Sequence, residues 1–191
     1  NAEQHNVQII DHLLDSARQV PSPNCGDRPN QDDVDLIVIH SISLPPGQYG
    51  GEQIEQFFCN ALDCTEHPYF QRIEGLQVSA HLLIRRSGEV IQFVPFNRRA
   101  WHAGKSSYKG RSDCNDFSIG IELEGADVEA YEKRQYQQLA LACFALEAAY
   151  PKISLQGITG HSDISPGRKT DPGEGFDWQY FSSLLRKTRG V

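Results

Sequence analysis

Residues 35–42 read DLIVIHSI and residues 117–125 read FSIGIELEG, and these two stretches decide the fold. The first is a short apolar run rich in β-branched residues, read as a buried strand with His40 near its C-terminal end. The second alternates and reads as another strand, with a carboxylate, Glu122, inside it. Outward from these, GITGH (157–161) is a short strand ending in His161. Gln77–Arg85 and Glu89–Val94 are two strand-like runs joined by Ser87-Gly88, a hairpin signal. Residues 129–149 place Leu139, Ala142, Cys143, Leu146 and Ala149 on one helical face, with Pro151 just beyond. Residues 52–62 read as a short helix with Ile54, Phe57 and Phe58 inward. Ile9, Ile10, Leu13, Leu14 and Ala17 fall at helical spacing, so residues 7–20 predict an amphipathic N-terminal helix that would carry His5 and His12 on its surface. Asp177 caps a final helix through Leu185. This order of helices and strands predicts a single domain over 1–191, an α/β or α+β sheet flanked by helices.

The chain has 18 Lys and Arg against 25 Asp and Glu, a net charge of -7, which argues against a nucleic-acid binder held by bulk charge. No apolar run approaches the roughly 18 residues of a membrane span. Five cysteines is an odd number and none forms C-x-x-C, so neither a complete disulfide framework nor a four-cysteine zinc ribbon fits. Reduced thiols in a cytosolic protein are the simpler reading. Residues 98–116, RRAWHAGKSSYKGRSDCND, show no periodicity, and a loop that long in a compact domain is usually functional or disordered. Its Trp, His and Tyr favour function.

Several polar residues stand where chemistry could use them. His40 and His161 terminate strands. Glu122 lies in an apolar strand, where a carboxylate is costly unless paired or used. Lys169 and Asp171 are two apart and, if extended, point to one side. Two imidazoles and one carboxylate match an open catalytic zinc site, in which the metal lowers the pKa of its water to about 7. A nearby carboxylate can take the proton and an ammonium can stabilise the oxyanion. Spacing does not rank His40, His81, His102 and His161, and a strand-end histidine more often makes a structural hydrogen bond. His81, mid-strand in VSAHLLI, reads as packed structure, and His67 lies in a loop.

The segments VIHSISLPPGQYGG (38–51), HPYF (67–70), VSAHLLIRRSGEVIQFVPFNRRAWHAG (78–104), CNDFSIGIELEG (114–125) and GHSDISPGRKTDPG (160–173) together resemble the AmpD-like 1,6-anhydro-N-acetylmuramoyl-L-alanine amidases. These belong to the wider amidase type 2 family, which includes a phage lysozyme and the peptidoglycan recognition proteins. The resemblance spans about residues 7–185. It implies a central mixed sheet with helices on its faces and a zinc site in a groove at strand ends. It further implies that His40, His161 and Asp171 bind one Zn2+, that Glu122 is the general acid/base, and that Lys169 stabilises the oxyanion. Tyr69 would assist near the site, and Trp101 and His102 would line the sugar and peptide groove. The implied reaction is hydrolysis of the amide between the lactyl group of anhydro-muramic acid and L-alanine, in cytoplasmic peptidoglycan recycling. The implied partner is a small muropeptide, with no nucleic acid or membrane, and the protein is expected to be a monomer. Two departures stand out. Ser41 follows the first histidine where many relatives have Asn. Residues 111–113 read RSD, lacking a second basic residue sometimes found there, so Arg111, Arg85 or Lys105 are expected to hold the peptide carboxylates instead.

Three rival readings bear on the same residues. One is a cysteine amidase using Cys64 or Cys114 with a histidine such as His67. Another is a module that binds cell-wall fragments without cutting them. The third is a periplasmic amidase acting on intact murein.

Overall fold

The computed structural model describes residues 6–191. Its elements begin with β1 (Ile9–Ile10), β2 (Leu13–Leu14), β3 (Arg18–Gln19), β4 (Cys25–Asp27), β5 (Leu36–Ile42) and α1 (Gln53–Phe58). There follow β6 (Leu82–Ile84), β7 (Val90–Gln92), β8 (Arg98–Ala100), β9 (Ser107–Tyr108), β10 (Arg111–Ser112) and β11 (Ser118–Glu124). The chain ends with α2 (Lys133–Ala149), α3 (Ile153–Gln156), β12 (Ile158–Gly160), α4 (His161–Ile164) and α5 (Trp178–Arg189).

A six-stranded mixed sheet forms the centre, in the order β12-β5-β11-β6-β7-β3. β12, β5, β11 and β6 run parallel, β7 is antiparallel to β6, and β3 is parallel to β7. Parallel central strands are covered on both faces and so read as near-continuous apolar runs; all seven residues of β11 are buried. Side chains alternate across the sheet. Ile37, Ile39, Ile119, Ile121 and Leu123 pack against Leu139, Cys143 and Leu146 of α2 and Phe181 and Leu185 of α5. Leu36 and Val38 face the other way, with Ala103, Cys114, Phe117 and Ile164. That parity carries His40 and Glu122 to the same second face, at the C-terminal ends of their strands, where open parallel sheets bind ligands.

The N-terminal helix expected over residues 7–20 is not formed. β1 and β2 pair antiparallel, Ile10 opposite Leu13, around a two-residue turn in which Asp11 and His12 have φ of 51 and 64. Two successive positive φ values make the tight hairpin turn whose twist suits antiparallel strands. The apolar pairs Ile9-Ile10 and Leu13-Leu14 satisfy helical spacing and a hairpin equally well. β3 then joins the sheet edge against β7. His12 is on the turn, its Nδ1 2.6 Å from the Tyr150 hydroxyl, and His5 lies outside the described residues. The long segment 98–116 is also more ordered than expected, holding β8, the β9–β10 hairpin and a short helical turn at Cys114–Asp116. Asp177 does cap the last helix, accepting from the Tyr180 N–H at 2.9 Å, and that helix continues past Leu185 to Arg189.

Candidate metal centre and groove

His40 is the fifth residue of β5, and β12 on its flank runs directly into His161, the first residue of α4 rather than the last of a strand. The two Nδ1 atoms are 3.0 Å apart. The loop after α4 returns Asp171 to them, its Oδ2 3.1 Å from His161 Nδ1 and 3.3 Å from His40 Nδ1. One ligand atom from each of the three residues lies within 4.8 Å of the others.

The donor chemistry fits a cation. His161 Nε2 lies 3.0 Å from the Ala103 carbonyl, which can only accept, so a neutral ring carries its proton there and presents a lone pair at Nδ1. That lone pair faces a carboxylate oxygen. Burial lowers the pKa of His40 to about 4, so this ring is neutral at neutral pH. Burial alone would raise Asp171, but its contacts with His161 and His40 outweigh it and hold the acid below the usual carboxylate range. Two imidazole nitrogens and one carboxylate oxygen are a zinc-type donor set, one short of zinc's usual four.

Glu122 stands beside this cluster, its Oε1 3.8 Å from His40 Nδ1. Its Oε2 is buried without a hydrogen-bond partner. Burial, then the neighbouring Asp171 carboxylate, push its pKa well above the ordinary range, with Lys169 opposing. A buried carboxyl group with a raised pKa and a free oxygen is a candidate for proton transfer.

The cluster forms the floor of a groove of about 580 Å³. Leu44, Pro46, Tyr69, Trp101, Arg168 and Lys169 are among the residues lining it. Tyr69 and Trp101 therefore sit where a ligand would pass. His102 lines the groove as well, though it is mostly buried, with Nδ1 2.9 Å from His40 Nε2. Arg111 is not among the groove residues. It pairs with Asp33 at 2.6 Å and Asp35 at 3.3 Å, and its guanidinium stacks 3.9 Å over the Phe117 ring. Arg85 is buried between Glu55 and Glu124, each 3.1 Å away. Lys105 is exposed, and its carbonyl accepts from Arg168 at 2.9 Å.

The profile of the family described as N-acetylmuramoyl-L-alanine amidase matches residues 30–174. The chain belongs to that family. It is 56% identical over 172 residues to the 1,6-anhydro-N-acetylmuramyl-L-alanine amidase AmpD of Citrobacter freundii, covering 90% of this chain and 91% of the relative. A crystal structure of a selenomethionine AmpD derivative superposes with a TM-score of 0.90 at 54% identity, over 93% of this chain and 98% of that one. AmpDh3 of Pseudomonas aeruginosa, solved in complex with an anhydromuramic pentapeptide, superposes at 0.58 and 26% identity, over 82% of this chain and 61% of that one.

The amidase groove does not include the cysteines. Cys114 is fully buried, and burial raises its thiol pKa. The Cys64 thiol pKa is raised as well, and its Sγ lies against the Leu62 carbonyl. His67 Nδ1 accepts from the Tyr69 N–H at 3.0 Å, so it caps the short helical turn Pro68–Arg72. His81, read as structural, is fully buried, with Nδ1 accepting from the Gly120 N–H at 3.1 Å and Nε2 2.8 Å from the Arg98 carbonyl.

Some residues at the site carry no sequence signal of their own. Asp127 ties the Ser41 hydroxyl, 3.2 Å away, to the Thr170 hydroxyl, joining the chain neighbours of His40 and Asp171. Ser118 and Asn115 bond to His102 and its backbone. Arg168, adjacent to Lys169, donates to the Ala103 and Lys105 carbonyls at 2.7 and 2.9 Å. No helix among the described residues is long and apolar enough to cross a membrane.

Proposed function

We propose that this protein is a zinc-dependent amidase that hydrolyses the amide between the lactyl group of 1,6-anhydro-N-acetylmuramic acid and L-alanine of a stem peptide, in peptidoglycan recycling. The observation that carries this reading is the meeting of His40, His161 and Asp171 beside the buried, unpartnered oxygen of Glu122 at the floor of an open groove. The names of the AmpD relatives and the anhydromuramic pentapeptide bound to AmpDh3 support the substrate class.

His40, His161 and Asp171 would hold one Zn2+, which when bound polarises a carbonyl and makes water a nucleophile near neutral pH. Glu122 takes a proton from the attacking water. It then gives a proton to the departing alanine nitrogen as the carbon–nitrogen bond breaks, returning to its starting state. The Lys169 ammonium faces the carbonyl oxygen as negative charge develops on it. Tyr69 and Trp101 supply the walls on which sugar and peptide rest. Unpaired thiols on all five cysteines suit a reducing compartment, so we place the enzyme in the cytoplasm, as a monomer acting on small imported fragments.

The test is to give purified protein an anhydro-muropeptide or intact sacculi, with and without chelator, and to identify products by mass. Free stem peptide and anhydro-sugar from the small substrate, abolished by chelator and restored by zinc, is the expected result. Turnover that survives chelation but stops with a thiol alkylator would replace this mechanism with the cysteine one. Binding without product in the zinc-loaded protein would make it a recognition module.

A further inference from the structure

We infer that His102, Ser118 and Asn115 are positioning residues that fix which nitrogen of each histidine ligand faces the metal. The inference rests on the metal reading above, but its starting point is the direction of hydrogen bonds.

The Ser118 hydroxyl donates to the Cys114 carbonyl at 2.5 Å, so toward His102 it has only lone pairs to offer. His102 Nε2 lies 3.0 Å from that oxygen and must be the donor. The ring is buried and none of the described carboxylates pairs with it, a setting in which an imidazole is neutral. Its Nδ1 is then an acceptor, 2.9 Å from His40 Nε2. His40 therefore donates from Nε2 and turns its Nδ1 lone pair toward His161 and Asp171. The relay runs from a backbone carbonyl through a hydroxyl and an imidazole to the ligand, and each member leaves the next one a single choice.

The same short segment governs the other histidine. The carbonyl of Ala103, next to His102, accepts from His161 Nε2 at 3.0 Å and so directs the Nδ1 lone pair of His161 inward. One side chain anchors both partners: Asn115 Oδ1 accepts from the backbone N–H of His102 at 3.0 Å and of Ala103 at 2.8 Å. Gly120 makes the room. A Cβ there would lie 2.4 Å from the His102 ring, so a side chain at this position would push the relay away from His40. His102, which lines the groove, thus also acts on His40, and the Ala103 carbonyl acts on His161. Outer partners of this kind typically change metal affinity 10–100-fold when lost.

Two measurements test this. In metal-free wild-type protein, long-range ¹H–¹⁵N spectra of the histidine side chains should show the Nε2–H tautomer at His40, His102 and His161. An Nδ1–H tautomer at His102 or His40 would overturn the relay. In the second, zinc affinity is read by competition with a chromophoric chelator. His102→Ala should weaken it 10–100-fold, and His102→Asn, whose amide oxygen can stand in for Nδ1, should recover most of the loss. Equal affinity in wild type and His102→Ala would overturn the inference. Failure of the wild type itself to bind zinc would instead overturn the metal reading, and the two failures are therefore distinct. Because the tautomers are read on the wild type, a variant that does not fold leaves the first measurement decisive.

Discussion

His40 and Glu122 occupy one register position of the parallel β5–β11 pair, and their side chains end 3.8 Å apart, Nδ1 to Oε1. The distance between the proposed metal ligand and the proposed acid/base is thus set by sheet hydrogen bonding rather than by a loop. Glu122 is not within the three-residue donor cluster, so its loss should spare the metal. Glu122→Gln is expected to retain one zinc per chain by metal analysis while kcat falls roughly 10²–10⁴-fold. Wild-type turnover in this variant would remove Glu122 from the mechanism.

The same burial has a stability consequence in the metal-free protein. The folded-state pKa of Glu122 is raised above its ordinary value of 4.5, chiefly by burial. A carboxyl raised in the fold binds more protons folded than unfolded. Its contribution is therefore most favourable below about pH 4.5 and declines as pH rises through the folded pKa. Glu122→Gln has no such proton to lose. Thermal unfolding of the metal-free proteins should then show the variant gaining on the wild type as pH rises above about 4.5, by about 2–4 °C for each kcal/mol. A gap that stays constant across that range would mean that Glu122 titrates normally.

Much of this architecture was legible because burial and period coincide. β5, β11 and α2 are buried elements whose apolar pattern matches their geometry, and their existence and type follow from it. The N-terminal hairpin was not, since Ile9, Ile10, Leu13 and Leu14 fit a helix as well, and the decision lies in the left-handed backbone of Asp11 and His12. At the site, residue types and spacing suggested a metal but could not rank four histidines. A mid-strand position marked His81 as structural, and only the resemblance separated His40 and His161 from His102. The role of His102 depends on a ring 62 residues away in sequence, and that of Arg111 on Asp33 and Asp35; neither pairing leaves a local pattern.

Lys169 and Asp171 are two residues apart, line the same groove, and should fail in different ways. Asp171 touches both His40 and His161, whereas Lys169 lies outside the donor cluster. Asp171→Ala is expected to lose zinc on dialysis. Lys169→Ala should keep zinc and a near-normal KM while kcat drops roughly 10²–10³-fold, the usual loss for one oxyanion donor. Metal analysis with steady-state kinetics separates them, and turnover unchanged in Lys169→Ala would refute the oxyanion role.

Arg111 and Trp101 make the opposite pair, one expected at the sequence level to touch the substrate and held elsewhere, the other lining the groove. Arg111 is engaged by Asp33 and Asp35 and stacks on Phe117. Arg111 also opposes the rise that burial imposes on the Asp35 pKa. Exposed ion pairs contribute only about 0.2–1 kcal/mol, and an exposed cation stacked on an aromatic ring about 0.5–1 kcal/mol. Arg111→Ala should therefore lower Tm by a few degrees and leave KM for a muropeptide within about twofold. Trp101→Ala removes a groove-lining ring, and loss of such a packed contact acts on substrate affinity rather than on the metal, so KM should rise with zinc content unchanged. If Arg111→Ala raised KM without lowering Tm, the peptide would have to reach past the groove to the β9–β10 hairpin, and Arg111 would regain a role in binding its carboxylates.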